Sequence, residues 1–234
     1  MNSDLELTTS DGLRLAVTTF AESPVFRTFW EGYDKAFVLP DEKEYEAGFR
    51  ECLALNHGVA YKDLAMRYGQ FREVCVVVRD GETVIGGANF IAMPIRDIVT
   101  ANLNYVYVDP ASRGRGYLRR SIAAFSELIT GLFSSAAKPL FFLEQNDPFA
   151  MSEEAYRRDT AQTGLDQIAR LTIWAKLGAR VVDFAYVQPA LAPGRKADRT
   201  LLYSVLGGGQ NALPACLLEA HLRRFFGISV LKGL

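Results

Sequence analysis

Val108-Asp109-Pro110-Ala111-Ser112-Arg113-Gly114-Arg115-Gly116-Tyr117-Leu118-Arg119-Arg120 joins a β-type run to a helix of strong apolar periodicity. The run before it, Leu103 to Val108, is rich in Val and Tyr, and Pro110 punctuates its end. After it, Tyr117, Ile122, Phe125, Leu128 and Ile129 recur on one helical face. The first N–H groups of such a helix have no intrahelical partner and carry the positive end of its dipole, so they suit a phosphate. Gly114 and Gly116 allow positive φ and close approach of a ligand, and Arg113, Arg115, Arg119 and Arg120 add charge.

The spacing excludes the commoner phosphate loops. There is no Gly-x-x-x-x-Gly-Lys-Ser/Thr, and a Gly-x-Gly-x-x-Gly motif fails because Arg119 stands at its third glycine. What remains, Val-x-Pro-x-x-Arg-Gly-x-Gly-Tyr, resembles the acetyl-CoA pyrophosphate signature of the GNAT acyltransferase superfamily, Arg/Gln-x-x-Gly-x-Gly/Ala. Arg113 takes the first place and Gly116 the fourth, while Leu118 stands where Gly or Ala is usual. The resemblance implies that Arg113, Gly114, Arg115, Gly116, Tyr117 and Leu118 hold the pyrophosphate of acetyl-CoA. It also implies that the backbone of Val106, Tyr107 and Val108 bonds the pantetheine arm, with Asn146 beside it.

Composition sets wider bounds. At 234 residues, about half of them apolar, the chain can bury a full core and is expected to form one domain. A formal charge of −1 with interspersed signs predicts no nucleic-acid partner. Cys52, Cys75 and Cys216 are odd in number and widely spaced, which predicts reduced core thiols. With only His57 and His221 and no third ligand near them, no metal site is expected. The opening residues lack a basic segment followed by an apolar one, and no run of about 18 apolar residues occurs. The expectation is a cytoplasmic protein that does not enter a membrane.

In chain order, Leu13 to Thr19 alternates and predicts a first strand after the Ser10-Asp11-Gly12 turn. Pro24 to Phe37 is helical, with Val25, Phe29, Trp30, Tyr33 and Phe37 clustered as a core face or as a pocket wall. Leu39-Pro40-Asp41 breaks that helix, and Asp41 can cap the next, which runs to Asn56. Val59 to Tyr68 predicts a third helix. Val74 to Arg79 and Thr83 to Ala92 form a hairpin around Asp80-Gly81-Glu82, with Gly86-Gly87 marking a bulge or close approach and Met93-Pro94 ending the strand. Thr100 to Val108 then leads into the glycine loop, and Leu140 to Glu144 completes a strand–helix–strand unit.

An acidic helical stretch follows, then a helix through Ile168, Leu171, Trp174 and Leu177 capped by Gly178. Ala179 to Val187 and Thr200 to Leu206 read as the last strands, the first of them left at Gln188 to Leu191. This order also resembles the GNAT fold: an α/β (α+β) protein with a mixed, mostly antiparallel sheet of six to seven strands flanked by helices. The expected division is an acyltransferase domain over 1–208 and a helical extension over 209–234. From Asn211 onward, Leu217, Leu218, His221, Leu222, Phe225 and Phe226 stand at helical spacing. That face either packs on the same subunit's sheet or makes a homodimer contact.

The resemblance implies direct transfer of an acetyl group to a neutral amine, and this chain departs from it at two catalytic places. Members that use a Glu as base carry it eleven residues before the loop's first Arg, and here that place is Asn102, whose amide cannot take a proton from an ammonium ion. The Tyr that serves as acid four residues before the helix-ending Gly is replaced by Trp174, whose indole N–H is not a usable acid. Replacement bases are Glu144 and Asp147, of which Asp147 before Pro148 equally suits a helix or turn cap. Strand alternation puts Tyr105 and Tyr107 on one face, with Asn104 and Val106 on the other, and Tyr105 can replace the acid. The acidic residues Glu144, Asp147, Glu153, Glu154, Asp159 and Asp166 favour a cationic amine if they border the acceptor, and otherwise form a solvated helix face. The leading expectation is an acetyl-CoA-dependent N-acetyltransferase of a small amine. The alternatives are a protein acetyltransferase and a non-catalytic acyl-CoA sensor or interaction module.

Overall fold

The computed structural model describes residues 3–39, 43–135, 137–190, 196–207 and 212–233. The Pro40-Asp41 break and cap, Leu191, the start of the extension at Asn211 and the 208/209 boundary lie outside them. Eight strands form one sheet in the order β1-β2-β3-β4-β5-β6-β8-β7. They are β1 (Leu5–Thr8), β2 (Arg14–Thr18), β3 (Arg72–Asp80), β4 (Thr83–Ile95), β5 (Ile98–Val108), β6 (Leu140–Asn146), β7 (Arg180–Val181) and β8 (Leu201–Leu206). Among neighbouring strands only the β5–β6 pair is parallel, a helical crossover between the two returning the chain to the same end of the sheet.

Period-two alternation divides the sheet residues between two helical layers. Val74, Val76, Val78, Phe90, Leu103, Phe141 and Leu143 face the layer that contains α4 (Tyr117–Phe133), which contributes Phe125, Leu128 and Ile129; Trp174 and Leu177 of α6 (Gln167–Leu177) pack beside them. Cys75, Val77 and Tyr107 face α1 (Pro24–Ala36) and α2 (Glu46–Ala54). Further along that second face, Phe71, Ile91 and Met93 meet α3 (Gly58–Tyr68), α7 (Ala215–Phe225) and the π-helical turn Phe226–Val230. Phe26, Phe29 and Tyr33 of α1 are buried, so its aromatic stripe is core. Phe37 and Tyr33 also meet the Tyr105 ring edge-on at 5.1 and 4.9 Å, which brings the stripe to the site described below. α5 (Glu153–Thr163) completes the helices.

Several sequence expectations need correction. The sheet has eight strands, because Leu13 to Thr19 is the second arm of a hairpin whose first arm, β1, is a half-exposed edge of four residues. β4 runs on through Pro94, opposite Val99, in a stretch where β3 no longer pairs with it and a missing N–H costs nothing. Of the expected strand 179–187 only Arg180–Val181 pairs; the chain then leaves the ladder and turns Tyr186 and Gln188 inward. The register of β5 against β4 slips where Leu103 and Tyr105 face Phe90 and Asn89, which makes Asn104 an extra residue. Asn104 therefore shares the face of Tyr105 instead of opposing it, as its contacts with Glu73 and Asn89 show. Among the cysteines, Cys75 is buried but Cys216 is exposed, so the third thiol is not a core residue.

The C-terminal segment packs on its own chain. Phe225, Ile228 and Val230 are buried against Phe71, Ile91 and Met93. His221 is fully buried between Thr100, 2.8 Å from Nδ1, and the Tyr203 hydroxyl, 2.9 Å from Nε2; burial lowers its pKa to about 3, so it stays neutral. No helix among the described residues is long and apolar enough to cross a membrane.

Candidate active site

β5 and β6 stay paired only where Thr100 to Asn102 lie beside Leu140 to Phe142. Beyond that point β6 pairs with β8 as far as Asn146, while β5 pairs with β4 as far as Val108. The sheet is thus split, and the β6-facing edge of Leu103 to Val108 carries no strand among the described residues. Val106, Tyr107 and Val108 lie on this edge; the Tyr107 hydroxyl itself turns to α1 and donates to the Phe29 carbonyl at 3.0 Å. Asn146 sits across the opening at the end of β6.

The glycine loop closes the wide end of the split. Asp109 accepts from the Ala111 N–H at 2.9 Å and sets a short 3₁₀ turn over Pro110–Ser112, which delivers the chain to Arg113. Gly114 and Gly116 have φ of +76° and +78°, a region other residues enter only with strain. A Cβ on either would meet no protein atom within 4 Å, so the space before them is open. No side chain caps the first amides of α4. Arg119 donates to the Lys176 carbonyl at 2.8 Å and Arg120 pairs with Asp11 at 2.7 Å, so these two arginines brace the helix. Tyr117 is anchored by donating to Asp80 at 2.5 Å. Arg113 and Arg115 lie exposed on the loop, the Arg113 Nε donating to the Val108 carbonyl at 3.3 Å. An anion-binding geometry, with uncapped amides and guanidinium groups nearby, is therefore present and not filled by the loop's own side chains.

Alternation along β6 sends Gln145 to the α4 and α6 side, and Glu144 to the other. On the first side a groove of about 300 Å³ is bordered by Gln145, Leu171, Trp174, Ala175 and Ser204. On the second, a cleft of about 70 Å³ is lined by Glu44, Phe49, Glu73, Asn104, Tyr105 and Glu144, together with Ser229 and Lys232 of the C-terminal segment. That is room for about half a dozen heavy atoms, the size of a short ligand.

Glu144 accepts from the Tyr186 hydroxyl and, at 2.8 Å, from Gln188 Nε2. Burial outweighs these two bonds and raises its pKa to about 7. Tyr105, enclosed by Tyr33, Phe37 and Phe49, has its phenol pushed well above the ordinary range by burial, so it stays protonated. Asp147 plays a different part: its carboxylate accepts from the Phe149 N–H at 2.9 Å, and its backbone bonds Thr200, Ala150 and Met151. It shapes the turn after β6 and is absent from the cleft lining. The acidic stretch beyond it is occupied internally, with Glu153 on Arg157, Asp159 on Arg170 and Asp166 capping α6. It does not line the cleft either.

Glu73, Asn89, Ser229, Tyr186 and Gln188 escaped the sequence reading. The signal for Glu73 and Asn89 was a polar residue at an inward position of a Val- and Ala-rich strand. Asn102 is fully buried, accepting from the Tyr203 hydroxyl at 2.7 Å and donating to Asn104 at 3.0 Å. It is a structural amide behind the cleft. No group of three residues able to hold a metal ion occurs among the described residues.

No protein-family model and no curated protein matches the sequence. Among solved structures, a protein from Bacteroides thetaiotaomicron assigned to the GNAT acetyltransferase family aligns over 99% of this chain and 99% of its own, with 18% identity and a TM-score of 0.57. The ribosomal-protein-S18-alanine N-acetyltransferase of Escherichia coli aligns over 85% of this chain and 99% of its own, with 14% identity and a TM-score of 0.44. A GNAT-family protein from Desulfovibrio desulfuricans aligns over 87% of this chain and 97% of its own, with 14% identity and a TM-score of 0.42. The first alignment carries the assignment of the fold.

Proposed function

We propose that this chain, which has the fold of the GNAT acetyltransferases, transfers an acetyl group from acetyl-CoA to the primary amine of a small molecule. The observation that carries the reading is the split between β5 and β6, with an open anion-binding loop at its wide end and, on the opposite face, a small cleft containing a carboxyl of pKa about 7. In this reading the amides of Tyr117 and Leu118, with Arg113 and Arg115, hold the pyrophosphate. The free edge of Val106 to Val108 bonds the amide-bearing arm as a further strand would, which satisfies backbone groups otherwise left to solvent. The donor's arm enters from the α4 and α6 side and the acceptor from the other, so the two meet only within the split.

Glu144 is the general base. At neutral pH roughly half of it is ionised, and a base of pKa near the working pH combines availability with driving force. It takes the proton of the acceptor ammonium, freeing the lone pair that attacks the thioester carbonyl. As the tetrahedral intermediate collapses, Tyr105, kept protonated by burial, passes its proton to the departing thiolate and regains one from the nitrogen that becomes the amide, so the phenol ends as it began. Asp147 is left as a turn residue.

The test is release of free thiol from acetyl-CoA across a panel of small amines, with calorimetry of acetyl-CoA binding beside it. Turnover that Glu144→Gln lowers by 10²–10⁴-fold is expected, the usual contribution of a positioned base. Absence of acetyl-CoA binding to the unaltered protein overturns the reading. Asn102 and Trp174, where the family's base and acid would stand, favour a second reading, an acyl-CoA sensor; binding without thiol release for every amine supports it.

A further inference from the structure

The proposed transfer leaves a buried carboxyl in the cleft unused. Glu73 on β3 is 1% exposed and lines the same cleft as Glu144. Its Oε1 accepts from Asn89 Nδ2 at 2.9 Å and from Asn104 Nδ2 at 3.0 Å, and its Oε2 accepts from Ser229 Oγ at 2.6 Å. Two amides donate to Oε1 and a hydroxyl able to donate meets Oε2, so all three contacts suit an ionised carboxyl. Every one of those partners is neutral. Lys232, the nearby cation on the cleft wall, has its ammonium 2.7 Å from Glu51, and Glu44 adds a second negative group to the lining. Burial raises the Glu73 carboxyl above its ordinary pKa while the three donors draw it back. A buried carboxylate held in this way, with no cation on it among the described residues, is costly to the fold, and a ligand cation would relieve that cost.

The bulge at Asn104 is part of the same device. Asn104 keeps the face of Asn102, towards Glu73, and the extra residue brings Tyr105 onto that face beside it, so both line the cleft. Ser229 comes from the last turn of the chain, 156 residues away in sequence. Glu73 is thus aimed by β4, β5 and the C-terminal segment together. Glu73 is level with Ile91, Asn102 and Phe142 across β3 to β6, so Glu144 stands three strands across and two residues along, and the two backbones are roughly 16 Å apart before the split widens. Glu73 leans across β4 to Asn104 of β5, and both carboxyls border the one cleft, so a short chain spans the interval between them.

We infer that Glu73, held by Asn89, Asn104 and Ser229, is the second anionic contact of the acceptor cleft, and that the acceptor is a short dication. Its reacting amine lies at Glu144, and a second ammonium or guanidinium group lies at Glu73. The inference rests on the acetyltransferase reading and extends it to the acceptor. The C-terminal segment is then part of the specificity site, because it supplies Ser229.

The experiment compares diaminobutane with butylamine as acceptors for the full-length protein. The diamine is expected to show a KM at least tenfold lower, and equal KM values overturn the inference. Glu73→Gln keeps the size of the side chain and removes the charge. It is expected to raise the KM for the diamine about tenfold more than that for butylamine, a difference of about 1.4 kcal/mol. If both rise by the same factor, Glu73 is a structural cross-link and the inference fails. Ser229→Ala provides a milder variant, with the same selective rise in smaller measure expected. If no amine gives thiol release, the acetyltransferase reading falls instead, and calorimetry of the two amines still decides the cleft: a binding heat for the diamine that Glu73→Gln abolishes upholds the assignment, and its absence in the unaltered protein overturns it.

Discussion

Glu144 illustrates how one residue can couple chemistry to stability. Its pKa is raised from 4.5 to about 7 by burial, which the bonds from Tyr186 and Gln188 only partly offset. As a base it acts when deprotonated, so kcat/KM is expected to rise with pH through about 7 and level off above it; a rate flat from pH 5 to 9 would remove Glu144 from that role. The same shift has a second consequence. Between 4.5 and about 7 the folded chain binds this proton and the unfolded chain does not, so the stability Glu144 contributes is complete below the unfolded pKa and is lost as pH rises through the folded one. The Tm is expected to fall across that interval, and Glu144→Gln should flatten the slope. Glu73, raised in the same direction, leaves a residual slope of the same sign.

At the scale of elements, two glycine pairs set the geometry for opposite reasons. In the loop before α4, Gly116 has positive φ and open space around it, so a side chain there meets strain and the ligand but no protein atom. Gly116→Val is expected to lower acetyl-CoA affinity at least tenfold in calorimetry while costing about 1–2 kcal/mol of stability, the penalty of a left-handed residue. Gly86 and Gly87 lie where β4 runs against β5. A Cβ on Gly86 would sit 2.3 Å from the Tyr107 carbonyl oxygen, and one on Gly87 would sit 2.7 Å from the Tyr107 hydroxyl. Gly86→Ala pushes on backbone that cannot yield without opening the ladder. A loss of about 1–3 kcal/mol in denaturant unfolding is expected, together with a weakened acetyl-CoA site, because β5 is its edge. Stability equal to that of the unaltered protein would show that the strands separate there at no cost.

At the scale of the whole molecule, the C-terminal segment is an integral layer of the fold. It covers Phe71, Ile91 and Met93, buries His221 against Thr100 and Tyr203, and ties β4 to the α3–β3 turn through Arg224, which donates to the carbonyls of Pro94 and, at 2.6 Å, Gln70. A chain ending before Ala215 would expose that apolar face and leave the Thr100 hydroxyl and the Tyr203 phenol without their imidazole partner. It is expected to bind a hydrophobic dye and to lose its cooperative thermal transition. A truncated chain melting within a few degrees of the full one would show the segment to be an appendage.

Local periodicity and turn chemistry, read from the sequence alone, determined where most of the helices and central strands lie and the strand–helix–strand unit around the glycine loop. These are properties of neighbouring residues, since alternation, caps and positive-φ glycines act over a few positions. Gly86-Gly87 was legible as a bulge or a close approach for the same reason. The edge strand β1 was too short and too exposed to leave a pattern, and the end of the expected strand at 179–187 was decided by what Tyr186 and Gln188 reach across the sheet. Tertiary structure alone decided the cleft that holds Glu73 and Glu144. A bulge at Asn104 changes the face of one side chain, and Glu73, Asn89, Asn104 and Ser229 meet only after strands far apart in sequence have paired and the last turn has docked. No local signal encodes such a meeting, because the free energy that fixes it comes from burying the whole sheet between its two helical layers.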